Sequence, residues 1–377
     1  MHGSKSPNRL VVAFFAAGAA ITGISSPALA KDGGDYQQHV LVSDGSIAAD
    51  HTDPNLVNAW GVAFNPFGVV WVANNHSGTS TLYDGMGNPQ SLVVAIPSPT
   101  NATGGSPTGI VYNGSSGFTV SNGTVTGASR FLFATEDGVI AGWAPNVDTT
   151  HALRAVDSSA GGAIYKGLAL SAGGSGQLLY ATDFHNGKVD VFDSKFAPVS
   201  LPAGAFVDAK IPSGFAPFGI QAINGDIFVT YAMQDADRHD DVHGRGLGYV
   251  DVYDPNGKLL HRVASRGQLN APWGMALAPA GFGRFSSSLL VGNFGDGRIN
   301  AYDLKSGTPL GTLRDAQHVP LQIDGLWGIA FGNGFASQPV DTLFFAAGPG
   351  DEAHGAYGRI DVVASSATSS DDDSSDE

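Results

Sequence analysis

The feature that most constrains the fold of this chain is one short phrase that recurs six times along its 377 residues. The phrase opens with a glycine and an apolar strand, continues through a second apolar strand and, in its clearest copies, ends a third strand in Tyr-Asp or Phe-Asp. The six opening glycines, here called the anchor glycines, are Gly61, Gly109, Gly167, Gly219, Gly274 and Gly328. Their spacing of 48 to 58 residues fits one four-stranded sheet per repeat. The sequence therefore predicts an all-β fold, a six-bladed β-propeller with four antiparallel strands in each blade.

The strand pattern supports this prediction. Runs such as Leu178-Leu179-Tyr180-Ala181 and Leu343-Phe344-Phe345-Ala346 are short, apolar and bounded by polar or small residues. Runs of this kind suit strands that are buried on both faces, as in stacked blades. Between second and third strands stand the tight-turn dipeptides Asn186-Gly187, Asp137-Gly138 and Asp296-Gly297.

Closure of the ring needs a strand from outside the last repeat. That repeat ends at its third strand, residues 358–363, and an acidic tail follows directly. The mature N-terminus offers an apolar strand, His39-Val40-Leu41-Val42. We expect it to complete the last blade and cover two sheet edges.

The first 30 residues have the order of a secretory signal peptide. Basic Lys5 and Arg9 precede an apolar run over residues 10–21, and Ala28-Leu29-Ala30 resembles a cleavage site. The apolar run is too short to span a membrane. We therefore predict export through the secretory pathway to the periplasm or the cell exterior. The expected organisation is a signal peptide over residues 1–30, the propeller over 31–364 and an acidic disordered tail over 365–377. With no cysteine, no disulfide can support the fold.

Charge limits the partners of this chain. The formal net charge is −15, and removal of Lys5 and Arg9 with the signal peptide leaves 17 basic against 34 acidic residues, or −17. Such a balance lacks the basic footprint of a nucleic-acid-binding protein and disfavours anionic membranes. We expect no nucleic-acid partner and no membrane span. A small molecule, a carbohydrate or a protein at the mouth of the propeller remains open.

The repeats also resemble a known class of proteins. Their Gly-apolar and Val-x-Val-Phe/Tyr-Asp phrases are similar to NHL repeats, in a ring distantly similar to gluconolactonase- and regucalcin-type propellers. The phrases Asn58-Ala59-Trp60-Gly61 and Asn270-Ala271-Pro272-Trp273-Gly274 more closely resemble an uncharacterised family of exported bacterial six-bladed propellers, some with a PEP-CTERM tail. This chain departs from that pattern because it ends in acidic residues. The family resemblance implies a fold and no known activity.

A metal site is one candidate at the mouth. Regucalcin-like enzymes hold one divalent cation over the channel with carboxylate and amide oxygens, the ligands that hard cations prefer. By alignment of the repeats, Asn74, Glu136, Asp183 and Asn293 form a comparable set for a cation such as calcium. The same residue types also cap hairpin turns by hydrogen bonds, and that interpretation stays open. No cofactor is otherwise assigned.

A second candidate is a ligand-binding rim. Trp60, Trp273 and Trp327, together with Phe218, precede four anchor glycines and offer rings on which a sugar or aromatic ligand can stack. Tyr231 and His185 follow second strands, on the same expected face. The alternative is that the large rings are wedged between blades as core.

One insertion stands out at the same face. Residues 234–246 are long, charged and placed between the second and third strands of the fourth repeat. Insertions of this kind act as lids or binding loops, or are mobile surface loops, and both interpretations stay open.

Two functions from different classes remain. The first is an exported, non-catalytic ligand-binding or protein-interaction scaffold, since no serine-hydrolase elbow or phosphate-binding loop occurs in the sequence. The alternative is a metal-assisted hydrolase or lyase of small lactones or sugars at the mouth, in which a cation activates water. Whether the protein is an enzyme is not decided by the sequence.

Overall fold

The fold is known from a computed structural model, which describes residues 35–173 and 176–363. The predicted signal peptide and the acidic tail lie outside the described residues. In the described part, strands β1 (Asp35–Ser43) and β2 (His51–Thr52) precede the first blade. The strands of blade 1 are β3 (Ala59–Phe64), β4 (Val70–Asn74), β5 (Thr79–Tyr83) and β6 (Val94–Ala95).

Blade 2 carries an inserted hairpin between its first and second strands. In chain order its strands are β7 (Pro107–Tyr112), the hairpin strands β8 (Thr119–Ser121) and β9 (Thr126–Ala128), then β10 (Phe131–Thr135), β11 (Val139–Trp143) and β12 (Leu153–Asp157). The blade itself has the order β7-β10-β11-β12 and is antiparallel throughout. A 3-10 turn, Ser159–Gly161, leads to the next blade.

Blade 3 differs from the prediction because it has three strands, β13 (Tyr165–Gly173), β14 (Gly176–Asp183) and β15 (Lys188–Asp193). Beyond β15 the chain starts a fourth strand, since the Val199 N–H donates to the Val191 carbonyl at 2.8 Å. It then turns at Pro202 and crosses to blade 4, where the buried Phe206 N–H donates to the Gly257 carbonyl. Burial of the Phe206 ring between blades 3 and 4 takes the place of a complete fourth strand.

Blades 4 and 5 have the predicted four antiparallel strands. Blade 4 consists of β16 (Phe215–Ile223), β17 (Asp226–Met233), β18 (Tyr249–Tyr253) and β19 (Leu259–Ser265). Blade 5 consists of β20 (Pro272–Leu277), β21 (Leu289–Asn293), β22 (Ile299–Tyr302) and β23 (Pro309–Thr312), with a 3-10 turn, Gly283–Phe285, after β20.

Blade 6 confirms the predicted closure. Its strands β24 (Leu326–Phe331), β25 (Leu343–Ala347) and β26 (Ala356–Val363) are completed by β1, which runs antiparallel to β26. Tyr36 of β1 reaches further, into blade 5, where its hydroxyl donates to the Phe282 carbonyl at 3.1 Å. The N-terminal strand therefore fastens blade 6 and blade 5 together.

The core of the ring lies between blades. Six buried apolar clusters each join one blade to the next, and the cluster of blades 6 and 1 closes the circle. Along β4, for example, Val70 and Val72 face blade 6, whereas Trp71 and Ala73 face blade 2. Alternation of side chains along a strand thus buries both faces of each blade.

The anchor glycines set how closely the inner strands approach. A Cβ at Gly219 would lie 2.1 Å from the carbonyl oxygen of Trp273, and a Cβ at Gly328 would lie 2.4 Å from that of Trp60. In five of the six blades the nearest atom is the carbonyl oxygen just before the next anchor glycine. Any side chain would push neighbouring blades apart, so these positions need glycine.

We predict that Gly219→Ala destabilises the ring by about 3 kcal/mol, because its Cβ meets backbone that cannot turn aside. Chemical denaturation followed by circular dichroism measures the change. Gly161→Ala is the matched control, since Gly161 has no atom within 4 Å of its Cβ position, and it should change stability by less than about 0.5 kcal/mol. Equal stability of the two variants would contradict the close-approach argument.

Candidate functional site

A cluster of aromatic rings, here called the aromatic plug, fills the centre of the ring. It is formed by the residues before four anchor glycines with two rings from neighbouring loops, and consists of Trp60, Phe218, Trp273, Trp327, Phe184 and Phe294. Trp327 stacks on Trp60 at 3.6 Å between ring centroids and on Phe294 at 3.8 Å. Trp273 meets both other indoles edge-on. These faces pack against one another, which is the structural interpretation of the tryptophans.

Lys166 occupies the pre-glycine position of blade 3, where four other blades have an aromatic residue. It is only 1% exposed, and its ammonium lies 5.2 Å from the centroid of the Trp60 ring. The Trp273 indole N–H donates to the Lys166 carbonyl at 2.9 Å. The repeat geometry thus places one positive charge at the edge of the aromatic plug.

Two carboxylates compensate this charge. The Lys166 Nζ donates to Glu136 Oε1 and, at 2.9 Å, to Asp240 Oδ1. Burial by itself lowers the pKa of Lys166, but the two negative charges outweigh it and hold that pKa above its ordinary value. The ammonium therefore stays charged at neutral pH.

The hydrogen bonds continue into a larger network, here called the polar arc: Glu352, Asn58, Asn75, Glu136, Lys166 and Asp240. Asn75 Nδ2 donates to Glu136 Oε2 at 2.7 Å, and Asn58 Nδ2 donates to Glu352 Oε1 at 3.0 Å. A long contact of 3.5 Å joins Asn58 Nδ2 to Asn75 Oδ1. The polar arc connects loops and strands of blades 6, 1, 2, 3 and 4 above the aromatic plug.

Glu352 is the unusual acid of the polar arc. Burial raises its pKa, and the negative charge of Glu136 adds to this, while the hydrogen bond from Asn58 opposes it. The net shift of the Glu352 pKa is upward.

The backbone near Glu352 is unusual as well. Asn58, Asp351 and Glu352 all have positive φ, at 49°, 52° and 65°. Left-handed conformations of non-glycine residues cost free energy and are concentrated at functional sites.

The insertion of residues 234–246 lies between β17 and β18, as predicted, and contacts both sides of the mouth. Gln234 Nε2 donates to the Phe184 carbonyl at 2.6 Å, and the Gly244 N–H donates to Asn270 Oδ1 at 2.6 Å. At its tip, Asp240 Oδ1 contacts both Lys166 and, at 3.0 Å, His239 Nδ1. The insertion is therefore held at both ends by hydrogen bonds and at its tip by the contact between Asp240 and Lys166.

The four predicted metal ligands are not joined by any hydrogen bond in the described part of the chain. Asn74 Nδ2 donates to Thr79 and Thr81 within blade 1, and Asn293 Nδ2 donates to the Gln268 carbonyl and Asp296. Asp183 accepts from the Ile164 N–H and from Asn186. Glu136 alone belongs to the polar arc. As a metal set the four residues stay a prediction.

A different group of possible ligands surrounds Glu136. Single ligand atoms of Glu136, His239 and Asp240 all lie within 4.8 Å of one another. The positive charge present between the two carboxylates is the Lys166 ammonium.

The predicted rim residues lie in different environments. Trp60 and Trp327 are 1% exposed and Trp273 is 9% exposed, all within the aromatic plug. Tyr231 is buried between blades 3 and 4, with its hydroxyl 2.5 Å from that of Tyr253. His185 is half-buried beside the insertion, and its carbonyl accepts from Gln234 at 3.4 Å. Their role in ligand binding stays a prediction.

Sequence reasoning missed most of the polar arc. Lys166 was visible as a charged residue in a column of aromatic ones, which is the signal that could have found it. Its partner Asp240 lies 74 residues further along, in a loop without periodicity. Asn58 and Glu352 meet only because the ring closes.

Comparison with known proteins gives the relatives of this chain. No protein-family model matches it. The uncharacterised protein R648 of Acanthamoeba polyphaga mimivirus is 37% identical over 334 residues, which cover 86% of this chain and 80% of that protein. The chain belongs to the R648 family. Uncharacterised protein L690 of the same virus is 33% identical over 302 residues and shares 78% coverage of both chains.

Solved structures show the same fold as this member of the R648 family. A Bacteroides thetaiotaomicron protein of unknown function has a TM-score of 0.54 and 11% identity over 87% of this chain and 77% of its own. A streptogramin B lyase has a TM-score of 0.50 and 13% identity, and the match covers 89% of this chain and 99% of that chain. The soluble aldose sugar dehydrogenase of Escherichia coli has a TM-score of 0.50 and 12% identity, and the match covers 87% of this chain and 100% of that chain. At these identities the likeness shows the propeller fold alone.

The predicted six-bladed propeller is thus confirmed. Among the residues described, no helix has the length and apolarity needed to cross a membrane.

The raised pKa of Glu352 leads to a pH prediction. A carboxyl group whose pKa is higher in the folded state favours folding below its unfolded pKa and loses that contribution as pH rises. Glu352→Gln keeps an acceptor for Asn58 without the charge. We expect the melting temperature of this variant, relative to the unchanged protein, to rise from about pH 4.5 upward and to level off once Glu352 is ionised.

Differential scanning calorimetry between pH 4 and pH 8 measures this difference. Asp351→Asn is the control, because Asp351 is the exposed neighbour. A Glu352→Gln difference that stays constant with pH would contradict a perturbed carboxyl.

Proposed function

We propose that this protein is a binding propeller, a non-catalytic ligand-binding or protein-interaction scaffold whose recognition surface is its mouth. The polar arc carries the proposal. Its hydrogen bonds join residues of five blades, the Lys166 ammonium is paired with Glu136 and Asp240, and the ring of Trp60 lies against that ammonium. Such mutual hydrogen bonding fixes donors and acceptors in place before a ligand arrives, which lowers the entropic cost of binding.

The insertion supports the same proposal. Residues 234–246 lie at the mouth and are held there by side-chain contacts to blades 3 and 5. Loops placed on a rigid scaffold are where binding residues concentrate. Small polar molecules, carbohydrates or a protein surface fit this arrangement of amide, carboxylate and ammonium groups.

A metal-assisted hydrolase or lyase acting on small lactones or sugars is the second candidate. The proximity of Glu136, His239 and Asp240 favours it, because carboxylate and imidazole groups together bind divalent metals. Binding there requires Lys166 to leave its position between the carboxylates. A metal at the sequence-predicted set of Asn74, Glu136, Asp183 and Asn293, calcium for example, is the other form of this candidate.

We also propose that the protein is exported. The order of basic, apolar and small residues in residues 1–30 supports passage through the secretory pathway. The Trp-Gly phrases support kinship with exported bacterial propellers beside the viral relatives. The periplasm and the cell exterior are the compartments that follow.

The test combines metal analysis with a search for small ligands. Purified protein is analysed for metals and titrated calorimetrically with calcium, magnesium, manganese and zinc. Thermal shift with neutral monosaccharides, sugar acids and amino acids follows. We expect that the Glu136→Gln variant takes up as much of each cation as the unchanged protein does. We also expect that at least one organic probe binds saturably to the unchanged protein and that this binding is lost in Asn75→Ala.

Asp237→Asn is the control for both measurements, because this residue is exposed in the insertion outside the polar arc. Uptake of about one cation per chain that Glu136→Gln abolishes would overturn the scaffold and support the metal-assisted enzyme. Organic binding that survives Asn75→Ala would contradict the mouth as its location.

A further inference from the structure

We propose that Lys166 is a binding site for the carboxylate of a small organic acid, and that Asp240 occupies this site in the absence of ligand. This inference rests on the proposed function, because it names the ligand class of the same mouth. It follows from the unequal placement of the two carboxylates that contact the Lys166 ammonium.

Glu136 is the permanent partner. Its side chain is 15% exposed, it follows β10 directly, and its second oxygen is held by Asn75. It therefore has little freedom to leave. One carboxylate already neutralises the buried ammonium, and the remaining ammonium hydrogens stay available as donors.

Asp240 is the replaceable partner. Its side chain is 60% exposed although the lysine that it contacts is only 2% exposed. It comes from the tip of an insertion, and the flanking residues from Ala236 to His239 are exposed. The insertion remains anchored through Gln234 and Gly244 when its tip moves. Asp240 can therefore leave Lys166 without unfolding of the loop.

Charge favours a carboxylate as the replacement. With Asp240 displaced, Lys166 and Glu136 together are neutral. An incoming carboxylate takes over the second ion-pair contact that Asp240 made with the ammonium, whereas a cation would meet the ammonium directly. A carboxylate also gains Coulomb attraction to the ammonium that a neutral ligand lacks, so a neutral ligand competes poorly with Asp240.

The surroundings limit the size and character of the ligand. The Trp60 ring lies 5.2 Å from the ammonium, and the Glu136 carboxylate beside the ammonium is held by the amide of Asn75. An aromatic ring with a carboxylate and an amide nearby suits a small acid that carries hydroxyl groups, such as a sugar acid.

Chemical rescue of the full-length Asp240→Ala variant tests the inference. This variant opens the position beside Lys166, and sodium acetate is added at constant ionic strength against sodium chloride. Thermal unfolding and tryptophan fluorescence are recorded, the latter because Trp60 lies against the ammonium. We expect saturable stabilisation by acetate, with an affinity at least about tenfold higher than in the unchanged protein, where the tethered Asp240 competes.

Three controls make the result specific. Acetamide, the neutral analogue of acetate, should have no effect. Asp237→Ala should behave as the unchanged protein, since this exposed residue of the same insertion is outside the polar arc. Asp240→Ala combined with Lys166→Met should lose the response to acetate.

Equal responses of Asp240→Ala to acetate, acetamide and chloride would overturn the inference, and this comparison holds even where the double variant does not fold. That failure is distinct from failure of the scaffold proposal. Asn75-dependent binding of a neutral sugar, found together with no acetate effect, would reject the carboxylate site and retain the binding mouth.

Discussion

The close approach of the six inner strands is the constraint on which the rest of this molecule depends. Each inner strand carries an anchor glycine, and at five of the six positions a carbonyl oxygen of the next blade lies 2.1 to 2.9 Å from where a Cβ would be. The contacts run around the whole circle, from blade 1 through blade 6 and back to Trp60. A propeller of this diameter is possible only because these positions carry no side chain.

The same contacts determine what lies at the centre. The residues before five of the anchor glycines lie together at the centre, although they come from distant parts of the sequence. Four are large aromatics and bury one another, which stabilises the ring from within. Lys166 enters this group as a charge, and a buried charge has to be paired. Glu136 and Asp240 satisfy that requirement. The hydrogen bond from Asn75 that orients Glu136 then links this charged group to the rest of the polar arc.

Much of the fold could be predicted because short sequence patterns, such as the turn dipeptides and the repeated strands, determine it. Gly187, Gly138 and Gly297 have positive φ at the hairpin turns that the dipeptides indicated, and the N-terminal strand closes blade 6 as the unfinished last repeat required. The missing fourth strand of blade 3 could not be predicted, because the chain leaves the edge to bury Phe206 against blade 4. That choice is a tertiary packing effect with no periodic signal.

The candidate site was harder to predict for a related reason. Asn74, Asp183 and Asn293 have the residue types of metal ligands, but the same types bond to turns, and spacing alone does not separate the two roles. The polar arc arises from residues up to 294 positions apart, Asn58 and Glu352, whose contact depends on ring closure. Lys166 was recognisable only as an exception within an aromatic column.

The central claim is that the buried pair of Lys166 and Glu136 organises the mouth, and a double-mutant cycle tests it most directly. Free energies of unfolding are measured for the unchanged protein, Lys166→Met, Glu136→Gln and the combined variant. Removal of Lys166 leaves the Glu136 carboxylate without its positive partner, and removal of Glu136 leaves the buried ammonium with only the exposed Asp240. The single changes should therefore be costly and the combination should recover part of the loss, with a coupling energy of about 2 kcal/mol or more. Additivity within about 0.5 kcal/mol would contradict the account, because the two residues would then act independently.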